Sequence, residues 1–276
     1  MTIYSHSRLN TFETCPQTFK YRYLDKIRTP FEKTVETHLG KVVHETLEWL
    51  YTEVGFGKIP ELDDALIYYR NQWTSKWEDT IKIVRKNLTK EDYFNKGLQF
   101  LVSYYMKHKP FNDNTIDIEK KVMIDMDEEG KYRLQGFIDR LVYNLEEERY
   151  EVHDYKTANS LPLPGKVEKD KQLALYSIGI KNQFGQDKEV ILVWHYLAFN
   201  RRIESRRTNE QLEDLKKEII GLIDTIESTT EFPPKKSGLC NWCECQPVCS
   251  LWNADAPTEK AEMEKCIRDY RESLRN

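Results

Sequence analysis

The sequence predicts an α/β fold, a mixed sheet core with helices on its faces, a helical insertion and a C-terminal cysteine-rich cap. Three observations carry this. Residues 115–126, 131–144 and 150–157 alternate with the period of two expected of successive half-buried strands. Residues 35–51 instead repeat Val43, Leu47, Leu50 and Tyr51 at helical spacing. The longest apolar run, within 189–199, reads as a buried strand. The resulting order is helix, three strands, helix, strand.

In chain order, a helical pattern opens at Ser7-Arg8-Leu9-Asn10, breaks at Cys15-Pro16, continues through Tyr21, Tyr23 and Leu24, and stops at Thr29-Pro30. Gly40, His44 and Glu48 form a stripe beside the apolar face of the 35–51 helix. Helices rich in Tyr and Trp occupy 61–109, and 61–110 is the expected insertion. After the three strands come helices at 170–181 and 209–228, the latter preceded by the buried strand and by a turn carrying Arg201, Arg202, Arg206 and Arg207. A last helix covers 258–274, and no repeat or low-complexity linker appears.

With 276 residues, the chain suffices for one large domain, read as 1–276. Charged residues make up 32 %, no stretch could span a bilayer, and the N-terminus lacks a basic-then-apolar leader. A soluble protein of the reducing cytoplasm, with no membrane partner, is therefore expected. The net charge of −4 gives no bulk attraction to nucleic acid, so such a partner would need local basic patches. Candidates are the four arginines just named, Lys82 with Arg85, Lys86 and Lys90, and Lys235 with Lys236; each also reads as an ordinary solvated face.

The chemistry concentrates in Gly136-Phe137-Ile138-Asp139-Arg140 and His153-Asp154-Tyr155-Lys156-Thr157. Folding about Glu146 and Glu147 sets Asp139 opposite Asp154, and Lys156 shares the face of Asp154 while His153 and Tyr155 point away. Two adjacent carboxylates repel, and a hard divalent cation offsets that repulsion. A cation polarises a phosphoryl oxygen and acidifies a bound water, and a neighbouring lysine can orient that water. The outline is that of a metal-dependent phosphodiesterase; the plain alternative is a surface hairpin with a salt bridge.

Of six cysteines, Cys240-x2-Cys243-x5-Cys249 reads as a thiolate cage with Cys15 as candidate fourth ligand. Zinc and a [4Fe–4S] cluster both accept four thiolates, so the spacing leaves both open, and disulfides do not suit a reducing compartment. Cys245 and Cys266 read as small core or surface thiols, with Cys245 the rival ligand.

These segments, together with Ser7 to Pro16, Gly40 to His44 and Gln172 to Tyr176, resemble the RecB-type branch of the PD-(D/E)XK nuclease superfamily. The likeness is to its iron–sulfur members, such as the AddB nuclease domain and the CRISPR-adaptation nucleases. The resemblance implies a restriction-endonuclease-like core. It also implies metal ligation by His44, Asp139, Asp154 and the Tyr155 carbonyl, with Lys156 as catalytic lysine and Gln172 and Tyr176 in support. Asp154 departs from the Glu of the superfamily label, a variant that suits the RecB branch. Cys15, Cys240, Cys243 and Cys249 would hold a [4Fe–4S] cluster in preference to zinc, stapling 1–30 to 233–276.

The expected activity is that of a magnesium- or manganese-dependent deoxyribonuclease, an exonuclease on single strands or DNA ends. Arg8, Arg201, Arg202, Arg206 and Arg207 would track the phosphate backbone. No Gly-x4-Gly-Lys-Ser/Thr loop occurs, so unwinding would need a helicase in trans. A narrower reading is a CRISPR spacer-processing nuclease working with adaptation proteins. One rival is a non-catalytic iron–sulfur module that binds DNA ends, against which the intact His44, Asp139, Asp154 and Lys156 argue. Another is a zinc-stapled hydrolase of other phosphodiesters.

Overall fold

Five strands among the described residues form one sheet in the order of the chain: β1 (Thr115–Asp125), β2 (Arg133–Asn144), β3 (Arg149–Lys156), β4 (Val190–Tyr196) and β5 (Arg201–Arg206). The structure is a computed structural model and describes residues 2–27 and 33–273. β1, β2 and β3 are antiparallel neighbours, β3 and β4 are parallel, and β5 returns antiparallel to β4. The parallel step needs a crossover, which α6 (Lys171–Phe184) supplies. This is the mixed α/β sheet that the periodicities predict, and it is consistent with the restriction-endonuclease-like core that the resemblance implies.

One face of the sheet packs on α1 (His6–Thr14), α2 (Pro16–Phe19), α6 and α7 (Asn209–Ser228). Leu134, Ile138, Val152, Leu192 and Trp194 meet Leu9, Phe19, Leu173 and Ile219 there. The other face carries α3 (Val35–Gly55), α4 (Leu62–Ser75) and α5 (Lys90–His108) around Val43, Leu47, Tyr69, Trp73 and Tyr104. α3 starts where the Thr34 side chain accepts the Thr37 amide, an N-cap that fixes the register of His44 along the helix. Both helices of the region read as an insertion therefore extend the second core.

β5 corrects the sequence reading, which made residues 201–207 a turn. Leu197–Phe199 forms a short 3₁₀ turn, Asn200 adopts a left-handed φ of 46°, and the chain doubles back as a strand. Of the residues in β5 only Ile203 and Ser205 are even half-buried, so no hydrophobic pattern announces it, and its charges suit an exposed edge. By covering that edge it places β4 inside the sheet, where all seven residues are buried.

The chain ends meet away from the sheet. Tyr21 and Ile27 pack on Cys245, Val248, Met263 and Ile267, the last two from α8 (Lys260–Ser273). The predicted stop at Thr29-Pro30 and the predicted end of the last helix at Leu274 lie outside the described residues.

Candidate metal centre

Arg140 pairs with His153 in the β2–β3 ladder, which leaves Asp139 and Asp154 as the next facing pair where the two strands end their pairing. Asp139 Oδ2 accepts the amide N–H of Tyr155 at 2.8 Å. From α3, His44 brings Nε2 to 2.7 Å from the Tyr155 carbonyl oxygen and Nδ1 to 3.4 Å from Asp139 Oδ2. A carbonyl only accepts, so Nε2 carries the proton and Nδ1 faces the acids, the pattern of a ligating histidine fixed by its second nitrogen. Gly40 lies one helical turn earlier because a Cβ there would stand 3.3 Å from Thr157 Oγ1; the missing side chain lets α3 approach the end of β3.

Asp154 is buried, and Lys156 Nζ lies 2.8 Å from its Oδ2. That ion pair is poorly aligned, since no hydrogen bond of good geometry reaches the buried oxygen. Lys156 also donates to Gln172 Oε1 at 3.2 Å, and Gln172 Nε2 donates to the Tyr176 hydroxyl at 3.3 Å. One turn of α6 separates Gln172 from Tyr176, so both face the strand ends. Gly136 admits this contact: a Cβ on it would sit 2.3 Å from Tyr176 Cε1. His44, Asp139 and Tyr155 thus form one linked group and Asp154, Lys156, Gln172 and Tyr176 a second beside it at the strand ends; among the described residues the tight cluster of potential ligand atoms holds His44 and Asp139 but not Asp154.

Electrostatics set the charge states. Burial, reinforced by Asp139 and only partly offset by Lys156, pushes the Asp154 carboxyl up to about 6. Burial opposes charging of His44, yet Asp139 and Asp154 hold its imidazolium up to about 9. Burial likewise opposes the Lys156 ammonium, and Asp154 outweighs it, keeping Lys156 above its ordinary value. Excess negative charge gathered around an imidazole and a misaligned buried oxygen suits a hard divalent cation.

One residue of this centre escaped sequence reasoning. Ile118 pairs with Arg140 and Lys120 with Ile138, which sets Glu119 of β1 across from Asp139. Ligand atoms of His44, Glu119 and Asp139 all fall within 4.8 Å of one another. Burial, then Asp139 and Glu48, push the Glu119 carboxyl up to about 7. The available signal was an acid inside an alternating strand next to the Asp139 strand, but the register that brings it there cannot be read from spacing alone.

The arginines predicted to contact DNA are scattered. Arg8 stacks over Tyr4, Tyr23 and Phe19, at 4.7, 5.1 and 5.6 Å from the ring centres. Arg202 pairs with Glu151 and Glu204, Arg206 with Glu189, and Arg207 donates to the Val167 carbonyl. Arg201 is exposed and shares a sheet row with Tyr196 and Lys156, whereas Arg206 lies at the far end of β5. A cavity of about 980 Å³ opens beside Lys156, lined also by Lys166, Lys169, Lys171, His6 and Tyr196.

Cys15, Cys240, Cys243, Cys245 and Cys249 line a separate cavity of about 300 Å³. Backbone amides of Lys235, Ser237 and Cys245 donate to the sulfurs of Cys15, Cys240 and Cys243 at 3.5, 3.3 and 3.4 Å. The hydrogen bond from Cys245, outweighing burial, brings the Cys243 thiol down to about 6. Cys266 is turned away and donates to the Pro247 carbonyl. Gathered thiols with amide donors fit a thiolate-bound metal group.

Among the described residues no helix is long and apolar enough to cross a membrane. No curated protein matches the chain in sequence. The crystal structure named "Putative exonuclease" from Eubacterium rectale is similar in fold, with a TM-score of 0.51 and 11 % identity over 93 % of this chain and 89 % of that one. The structure of SSO0001 aligns with 79 % of this chain and 96 % of its own, at a TM-score of 0.37 and 14 % identity. The family profile of the PD-(D/E)XK nuclease superfamily matches residues 3–250, nearly the whole chain, and the chain belongs to that superfamily.

Proposed function

We propose that this nuclease is a magnesium- or manganese-dependent deoxyribonuclease that hydrolyses phosphodiester bonds by water attack, as an exonuclease on single strands or DNA ends. The observation that carries the reading is the convergence of His44, Asp139, Asp154 and Lys156 at the end of the β2–β3 pairing. His44 Nδ1, Asp139, Asp154 and the Tyr155 carbonyl would hold the cation. When bound, the cation supplies Lewis-acid polarisation of the phosphoryl group and a water of lowered pKa.

The chain's own residues do the rest. Lys156, kept cationic by Asp154 and steered by Gln172, orients the attacking water and stabilises charge growing on the phosphorane oxygens. Tyr176 steadies Gln172. Lys166 and Lys169 beside the large cavity, with Arg201 on the row of Lys156, attract the phosphate backbone despite the negative net charge. A helicase or CRISPR-adaptation partner would supply unwound or processed ends in trans.

The cysteine cavity is proposed to hold a [4Fe–4S] cluster on Cys15, Cys240, Cys243 and Cys249. The cluster is preferred to zinc on the resemblance that the sequence carries, with the gathered thiols of Cys15, Cys240, Cys243 and Cys249 as support.

The test is an end-labelled DNA time course on single and double strands, with manganese, magnesium or EDTA. Metal-dependent shortening from an end that vanishes in Asp154→Asn supports the reading. EDTA-resistant cleavage, or none by the wild-type protein on any DNA, removes it.

A further inference from the structure

Glu119 stands apart from every other group around Asp139. It lies in the middle of β1 with a left-handed φ of 47°, a conformation costly for a non-glycine residue and retained where surrounding structure or function compels it. Among the described residues its half-buried carboxylate makes no hydrogen bond and no ion pair with a lysine or arginine. The cation next to it in sequence, Lys120, is held by Asp117 at 2.7 Å. What Glu119 does face is His44 and Asp139, to within 4.8 Å. A second acid brought against Asp139, offset among the described residues only by the His44 ring the two share, leaves excess negative charge that suits a cation from outside.

We infer that Glu119 is a ligand, contributed by β1, of the same divalent cation, an inference that rests on the proposed metal site at Asp139. The geometry of His44 supports it: with Nε2–H tied to the Tyr155 carbonyl, Nδ1 turns to the side of the ring where Asp139 and Glu119 stand. The charges also close, because three carboxylates are balanced by one divalent cation and the Lys156 ammonium. Three adjacent strands, β1, β2 and β3, then each give one acid to the site, and α3 gives the nitrogen.

Manganese binding measured by titration calorimetry, on wild-type protein and on Glu119→Gln, Asp139→Asn and Asp117→Asn, tests this without reference to activity. Glu119→Gln should weaken binding tenfold or more, while Asp117→Asn stays within twofold of wild type. In EDTA the Glu119→Gln protein should melt at the same temperature as wild type or higher, since a repulsion has been removed, yet gain less on adding manganese. Should Glu119→Gln fail to fold, Glu119→Gly, which accepts the left-handed backbone without strain, carries the same measurement. Glu119→Gln binding within twofold of wild type, with Asp139→Asn unable to bind, would overturn the inference and leave the site at Asp139 standing. Absence of manganese binding by wild-type protein would overturn both.

Discussion

His44 Nε2 lies 2.7 Å from the carbonyl oxygen of Tyr155, whose own amide donates to Asp139 at 2.8 Å. The backbone of one β3 residue thus ties α3 to β2, and its side chain is anchored in the core under α3: the buried Tyr155 hydroxyl accepts from Arg140 Nε at 3.0 Å. Arg140 and His153 in turn follow and precede the two site acids in sequence. Asp139 and His44 line one pocket with Arg140 and Tyr155, so a buried polar network braces this end of the site directly, which is the rigidity a metal centre needs.

Asp154→Asn and Lys156→Met should each lower cleavage on the order of 10³-fold or more, the scale of losing metal-held water activation or its charge partner. They should differ in stability. Asp154→Asn removes a carboxylate that burial already disfavours, whereas Lys156→Met strands that carboxylate and should melt lower. Circular dichroism and melting curves beside the rate measurements check both; near-wild-type turnover by either variant would sink the assigned roles.

Gly136→Ala should cost about 1–3 kcal/mol in a urea melt, because its Cβ would stand 2.3 Å from the Tyr176 ring. Pushing that ring away also loosens Gln172, so activity should fall together with stability. Combining Gly136→Ala with Tyr176→Ala removes the clash, and the two costs should be clearly less than additive. Full additivity would mean that the glycine serves some other purpose.

What the sequence disclosed follows from its periods. Alternation exposed β1, β2 and β3, helical recurrence exposed α3, and the facing of Asp139 and Asp154 followed from a short turn with only one sensible centre. β5 stayed hidden because an exposed edge strand needs no apolar face: Arg201, Arg202 and Arg206 look like a solvated turn. Glu119 stayed hidden for a different reason. Its partner is set by the long loop between β1 and β2, and its backbone leaves the strand conformation at that residue. Charge counts also do not reveal that Arg202 and Arg206 are already paired with glutamates while Arg201 is exposed.

Acid should weaken the fold through a cluster of three histidines behind the site, His153 and His195 buried and His108 half-buried. His153 and His195 rings lie 5.1 Å apart and His108 5.3 Å from His195. Burial first, then Arg140, draw His108 down to about 4 despite Asp113, with Lys107 and Arg202 adding to the fall; His153 and His195 move the same way. Since the folded pKa lies below the unfolded one, the unfolded chain binds more protons between about pH 6.5 and 4. Stability from a neutral His108 is therefore complete above that window and lost on descending through it. Asp154 and Glu119, raised by burial, act in the opposite sense, so the comparison must be between wild type and His108→Gln, where they cancel. Wild type should lose melting temperature relative to His108→Gln as pH falls from 6.5 to 4.5 in EDTA; parallel curves would refute the linkage.

The cysteine cage makes the last prediction. Protein purified anaerobically should be brown, with iron and acid-labile sulfide near four each per chain if the cavity holds the proposed cluster. Cys15 lies between α1 and α2 and the other three ligands belong to the C-terminal loop, so the group closes a loop of nearly the whole chain. Cys15→Ser should bleach the protein and lower its melting temperature, because the unfolded ensemble regains the freedom of that loop. Cys266→Ser should leave colour and metal content unchanged, as its thiol is directed at the Pro247 carbonyl. Cys245 shares the cavity, yet it serves as hydrogen-bond partner of Cys243, a task a serine hydroxyl can also perform, so Cys245→Ser should keep its iron. About one zinc per chain and no iron would replace the cluster by a zinc staple. The metal centre proposed around Asp139, reached through different residues, would be untouched by that result.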